Sequence, residues 1–239
     1  MSISSQQLRR QFILNIKGRP YSARGLRMDL LQVEKAYHDE GFLHVSIDPP
    51  DVKTHKFGDE EAADILVRIR EGARFVSGKV SVNGVDVLGS DAVVQMYPLQ
   101  KGQPYRHGRI IQWQESIEDA YRSLGYMRAR CAVNESLNET QQSVDCSMDC
   151  SEGKLYRVGK IDIAGDESID RIRFKRRLLV SEGGIFNPEN LFLSIQYLNR
   201  SGLYKRISDS DVEIQIDDVR AAVDLTFHIF APSGSGTSD

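Results

Sequence analysis

No apolar run in the 239-residue chain approaches the roughly 18 to 20 residues that cross a bilayer as a helix. The opening MSISSQQLRRQF lacks the apolar stretch of a signal peptide, so any export signal or anchor is expected outside this chain. Neither sign of charge dominates. The 31 basic and 34 acidic residues are interspersed, for a formal net charge of -3, and no chain-wide basic field exists to hold nucleic acid. There is no P-loop, no GxGxxG after a strand, no HExxH and no GxSxG. Five histidines, His38, His44, His55, His107 and His228, lie at spacings that make no metal site. No catalytic residue, metal or cofactor is therefore expected. What remains, 40% apolar and 27% charged, is the composition of a globular protein large enough for two or three small domains.

What the chain does contain is its own echo. KGRPYSARGLRMDLLQVEKAYHDEGF, from Lys17 to Phe42, returns as KGQPYRHGRIIQWQESIEDAYRSLGY, from Lys101 to Tyr126, with Gly18, Pro20, Tyr21, Ala36, Tyr37 and Gly41 all repeated at an offset of 84. A second echo carries EGARFVSGKVSVNG, Glu71 to Gly84, into EGKLYRVGKIDIAG, Glu152 to Gly165, at an offset of 81. Gly84 to Gly102 and Gly165 to Gly183 are both 18 residues, and EGGIFNPENLFLSIQYLNRSGLY then forms a looser third copy, four residues shorter between its glycines. Four residues is close to one helical turn, so the helix shortens without rotating its apolar face.

Periodicity assigns the elements of each copy. KVSVNG and KIDIAG alternate, which predicts short strands with Val80, Val82, Ile161 and Ile163 inward. SDAVVQ and SIDRIRFKRR predict a first short helix that begins at a Ser cap. A longer amphipathic helix follows Pro104 or Pro188, presenting Ile110, Ile111, Trp113, Ile117, Tyr121 and Leu124, or Leu191, Leu193, Ile195 and Leu198, to the same core. Two strands end each copy: FLHVSI and ADILVRI, then MRARCAV and SVDCSMDC, then KRISDSDVEIQI and AAVDLTFHIF. Strand, helix, helix, strand, strand is an α+β order. The expected division is residues 1–71, 72–153 and 154–231, with 232–239 a Ser/Gly-rich linker or tail. Counting back 18 residues from Gly18 gives zero, so the first copy is expected to lack its first strand.

This order, with a Gly turn after the first strand, a KGxPY step, a YxxxGY helix end and an EG leading into the next copy, resembles the POTRA domain. That is the polypeptide-transport-associated module found in series on the periplasmic side of BamA-type outer-membrane assembly factors. The resemblance implies three tandem β-α-α-β-β units, each a three-stranded mixed sheet with two helices on one face and its second strand at an exposed edge. It also implies a periplasmic portion of an outer-membrane protein, with a membrane barrel C-terminal to this chain. Unfolded outer-membrane β-barrel precursors would be its clients and accessory periplasmic lipoproteins its partners. A two-partner secretion pore or a cell-division scaffold would be alternative settings.

An open sheet edge offers unpaired N–H and C=O groups, so an extended client can add itself as a strand through bonds indifferent to side-chain identity. The expected edges are Phe42, Leu43, His44, Val45, Ser46 and Ile47, and Met127, Arg128, Ala129 and Arg130 continuing to Val133. Arg128 and Arg130 alternate outward there, as charges that blunt an edge do.

Three cysteines replace isoleucines of the first copy: Cys131 stands for Ile47 at offset 84, and Cys146 and Cys150 stand for Ile65 and Ile69 at offset 81. Burial as small hydrophobes follows from that substitution. Cys146 and Cys150 lie about 13 Å apart along one strand, out of disulfide reach. A bridge from Cys131 to either one remains open in an oxidising periplasm. The densest charge run is DRIRFKRRLL, where Arg171, Arg173, Lys175, Arg176 and Arg177 are expected to face a membrane surface or an acidic partner segment. Ile169, Ile172, Leu178 and Leu179 would then face the sheet.

Overall fold

The computed structural model describes residues 3–13, 21–57 and 60–232. Lys17, Gly18 and Pro20 of the first echo and residues 233–239 of the tail lie outside them. The chain forms two compact units, one holding residues up to 83 with 90–114 and 132–149, the other holding 84–89, 115–131 and everything from 150 on. The connection after the first repeat lies wholly in one unit, and the connection after the second lies wholly in the other.

The first repeat begins with α1 (Ser5–Arg9) and α2 (Ala23–His38). Ser22 caps α2, its Oγ accepting the Gly25 N–H at 3.1 Å. Val33, Tyr37 and Phe42 form a small core joined by Leu8, Phe12, Val45, Ile47 and Ile69. Buried Asp29 accepts the Ile13 N–H at 2.9 Å. The following hairpin is broken in two. β1 (Ser46–Ile47) pairs antiparallel with β4 (Ile69–Arg70), and β2 (Asp51–Phe57) pairs antiparallel with β3 (Glu60–Leu66). Pro49 and Pro50 stand at the break, where they have no N–H to give a ladder.

The second and third repeats each build a three-stranded mixed sheet. In one, β5 (Val76–Asn83) runs parallel to a central β7 (Ser143–Ser151), with β6 (Arg130–Asn138) at the other side. In the other, β8 (Arg157–Gly165) runs parallel to a central β10 (Ala222–Ile229), which pairs antiparallel with β9 (Val212–Asp217). The helices are α3 (Ser90–Gln95) and α4 (His107–Ser123), then α5 (Arg171–Lys175) and α6 (Pro188–Ser201). The 14 residues of α6 against 17 in α4 are the lost turn.

Ile110, Trp113, Ile117 and Tyr121 of α4 are buried along one stripe. Ile111 and Leu124, expected inward, are exposed: Ile111 lies about 100° off the stripe, and Leu124 follows the last helical residue. In the third repeat Phe174, Phe186, Leu191, Leu198, Leu225 and Phe227 dominate the core.

The recurring Gly-Lys of the second echo is a bulge. The β5–β7 register shifts between Ser77 and Val80, and Asp145 Oδ1 accepts the Lys79 N–H there at 2.7 Å. Gly159, Lys160 and Asp224 repeat the device in the β8–β10 pair, again at 2.7 Å.

Candidate interaction surfaces

Among the described residues no strand lies outside β6 or β9, so each mixed sheet keeps one edge whose strand is the second in its repeat. Along β6 the side chains of Arg130, Ala132, Asn134 and Ser136 are exposed while Cys131 is buried. The strand starts at Arg130, not Met127. Met127 packs against the core of the third repeat, Ala129 is buried, and Arg128 reaches the third repeat's hairpin. In the first repeat the strand is confined to Ser46 and Ile47. Phe42 belongs to the core, Val45 and Ile47 pack on it, Leu43 is half-buried, and the His44 ring meets Phe75 edge to face at 5.3 Å. Most of the expected edge residues thus sit where one repeat gives way to the next.

Those two connections share a plan. The Gly41 carbonyl accepts the Phe75 N–H at 2.7 Å, and the Phe75 carbonyl accepts the Tyr105 N–H at 3.0 Å. After the second repeat, Gly125 accepts from Tyr156 at 2.8 Å and Tyr156 from Phe186 at 3.0 Å. Gly41 and Gly125 have φ of +92° and +91°, and a Cβ on either would come within 2.5 Å of Phe75 O or 2.6 Å of Ile185 Cγ2.

Side chains repeat as well. Tyr37, near the end of α2, donates its hydroxyl to Glu71 Oε1 at 3.1 Å, and Tyr121 of α4 donates to Glu152 Oε1 at 2.7 Å. Burial first, then the Glu71 bond, pushes the Tyr37 hydroxyl up to about 12, and the Tyr121 hydroxyl is pushed up for the same reasons. Three residues after each glycine a second contact reaches the next repeat's β-hairpin: His44 Nε2 to Glu139 Oε1 at 2.8 Å, and Arg128 to both oxygens of Asp218 at 2.9 and 3.1 Å. Tyr156 also donates to Asp218, at 2.6 Å. Together Arg128 and Tyr156 hold the Asp218 carboxyl below the usual carboxylate range. Around the first connection Glu40 accepts from Arg74 at 2.7 Å and from Arg106 at 3.3 Å.

The sequence reading missed Glu71, Glu139, Glu152, Tyr156 and Asp218. For two of them a signal was present: Tyr37 and Glu71 recur together as Tyr121 and Glu152, one from each echo.

The basic run is exposed at Arg171, Arg173, Arg176 and Arg177, while Lys175 is half-buried and donates to Glu182 at 2.8 Å. Of its apolar residues, Ile169 and Leu178 pack against the core of the third repeat as expected, and Ile172 and Leu179 do not. Phe174 is fully buried, and Ile172 and Leu179 are 66% and 48% exposed. Phe174 has the largest apolar surface on α5 and turns the helix to place its own ring against Tyr204 and Phe227, which points Ile172 outward. Of the cysteines, Cys131 and Cys150 form a disulfide and Cys146 is a buried free thiol. Burial pushes that thiol's pKa up. Among the described residues no group of His, Cys, Asp and Glu could hold a metal, and no helix is long and apolar enough to cross a membrane.

Set beside known proteins, the profile of the POTRA family, described as "Surface antigen variable number repeat", matches residues 75–153 and again 156–231. The chain belongs to the POTRA family. Curated relatives are outer membrane protein assembly factors BamA. That of Neisseria meningitidis serogroup B is 22% identical over 180 residues, 75% of this chain and 22% of the relative, and that of Buchnera aphidicola is 19% identical over 210 residues, 87% and 33%. The chain therefore spans about a fifth to a third of the length of these relatives. Among solved structures, POTRA3-5 of Haemophilus influenzae BamA superposes with a TM-score of 0.62 at 16% identity, covering 96% of this chain and 91% of that one. BamA from Haemophilus ducreyi lacking POTRA domains 1-3 gives a TM-score of 0.52 at 17% identity, over 67% and 30%. Tandem POTRA units built on three-stranded mixed sheets are the fold of this chain.

Proposed function

We propose that the chain is the periplasmic portion of a BamA-type outer-membrane assembly factor. Its POTRA units, divided near Gly72 and Gly153, receive unfolded β-barrel precursors. The single observation that supports this most is the pair of sheet edges at β6 and β9, of nine and six residues, neither paired with a further strand among the described residues. Backbone pairing along such an edge tolerates many client sequences, and two weak sites in series raise avidity through effective concentration. In the first repeat the strand at Ser46 and Ile47 runs into Pro49 and Pro50, so the client-binding role falls on the other two. The chain works by binding, and no residue is assigned a catalytic role.

A photo-crosslinking amino acid at Ala132, Asn134 or Ser136 should capture an unfolded outer-membrane barrel protein, and one at exposed Gln112 on α4 should not. Equal capture at all four positions would reject the edge as the site. The basic run Arg171, Arg173, Lys175, Arg176 and Arg177 is proposed as a second contact, for anionic head groups or for an acidic segment of an accessory lipoprotein. Four of its five cations are exposed. Gln at all five positions should lower binding to anionic vesicles at low salt.

A further inference from the structure

The Cys131–Cys150 disulfide stands inside the second connection. Arg128, which holds Asp218, lies three residues before Cys131, and Glu152, which holds Tyr121, lies two residues after Cys150. A Cβ built on Gly153 would touch the Arg128 Cβ at 3.6 Å, so the two flanking segments run side by side. The bond therefore ties together the two pieces of backbone from which the third repeat is held. In the first repeat the corresponding positions are Ile47 and Ile69, directly paired between β1 and β4 with no covalent link. The first connection nonetheless carries the same kinds of hydrogen bonds, Gly41 to Phe75, Tyr37 to Glu71 and His44 to Glu139.

We propose that the Cys131–Cys150 disulfide is a redox-controlled fastener of the connection between the second and third repeats: oxidised, it locks the Arg128 and Glu152 segments in place; reduced, it lets that connection open while the first stays closed. The reductant is a dithiol protein or small molecule. Its thiolate attacks Sγ of Cys150, which is half-buried where Cys131 is buried, and the sulfur–sulfur bond breaks. Cys131 leaves as a thiolate and takes a proton. The second thiol of the reductant then displaces Cys150 as its thiol, so two electrons pass to the protein and the reductant ends as a disulfide. Cys146 stays out of the exchange because it is buried against the hydroxyls of Tyr97 and Tyr105, at 3.4 and 3.9 Å.

The test is amide hydrogen exchange on the whole chain, oxidised and after reduction with dithiothreitol, read at two equivalent reporters. Tyr156 N–H is bound to Gly125 in the fastened connection, and Phe75 N–H is bound to Gly41 in the connection without a disulfide. Reduction is expected to speed exchange at Tyr156 at least tenfold and to leave Phe75 and the sheet amide of Val144 unchanged. Unchanged Tyr156 would overturn the proposal. Equal loss at Val144 would overturn it too, since the bond would then stabilise the second repeat as a whole. The double variant Cys131→Ser/Cys150→Ser should match the reduced protein at Tyr156 with or without dithiothreitol, and a variant as protected as the oxidised chain would refute the fastener.

Discussion

A Cβ placed on Gly159 would stand 2.0 Å from Asp224 Oδ1, the oxygen that accepts the Lys160 N–H. The glycine leaves the room in which that carboxylate closes the bulge, and Asp145 would meet a Cβ on Gly78 at 2.1 Å in the same way. Gly165 faces a harder obstacle, the Ile229 carbonyl at 2.3 Å, with φ of +104°.

These contacts rank two kinds of glycine. An aspartate can swing aside, so Gly159→Ala and Gly78→Ala should cost about 1 kcal/mol, the worth of the displaced hydrogen bond. A backbone carbonyl cannot, so Gly165→Ala should cost more than about 2 kcal/mol through clash and left-handed strain. Urea unfolding of the three variants measures the order, and equal midpoints would reject it.

Tyr37 and Glu71 give the first connection an alkaline limit. The hydroxyl's pKa is raised from 10.0 to about 12, so its hydrogen bond contributes fully below pH 10 and is lost as pH rises toward about 12. Absorbance of tyrosinate in the intact chain and in Tyr37→Phe should differ by a late-titrating tyrosine. A Tyr37 that titrates with the exposed tyrosines would contradict the contact.

The Arg128 contact to Asp218 gives the second connection an acid limit. Asp218 is held below the usual carboxylate range of about 3.9. Its contribution is therefore present above that range and lost as pH falls through the lower folded value. Carboxyl titration by nuclear magnetic resonance should show Asp218 moving upward in Arg128→Gln, and no movement would mean that the pair does not form in solution.

Phe174 and its basic neighbours should separate cleanly. Phe174→Ala removes a fully buried ring and should cost about 3 to 5 kcal/mol. Gln at Arg171, Arg173, Arg176 or Arg177 should each change stability by less than about 0.5 kcal/mol, since all four are exposed. Thermal unfolding reads both.

The parts of this fold that could be read in advance are those that local chemistry dictates. Glycine spacing marked the ends of strands and helices, the stripe of Ile110, Trp113, Ile117 and Tyr121 set the face of α4, and alternation set Val82, Ile161 and Ile163 inward. The cysteine pairing was narrowed to two options, and the Ile47–Ile69 pair shows why Cys150 was the right one: equivalent positions face each other across the hairpin. Side-chain roles that depend on a neighbouring repeat were not legible. Arg128 has the alternation of an edge residue, and only the approach of Asp218 makes it a connector. Ile172 has the chemistry of a core residue, yet the larger Phe174, two residues on and about 200° around the helix, took the inward position.

The carbonyl of Gly41 and that of Gly125 do the same work in joining one repeat to the next, and a carbonyl is not specified by any codon. Mutation can change every side chain around it without removing it, provided the glycine keeps its left-handed turn. A duplicated repeat thus arrives with its socket already made. Arrays of this kind can lengthen by gene duplication before any matched pair of side chains, such as His44 with Glu139 or Arg128 with Asp218, has arisen to reinforce the joint.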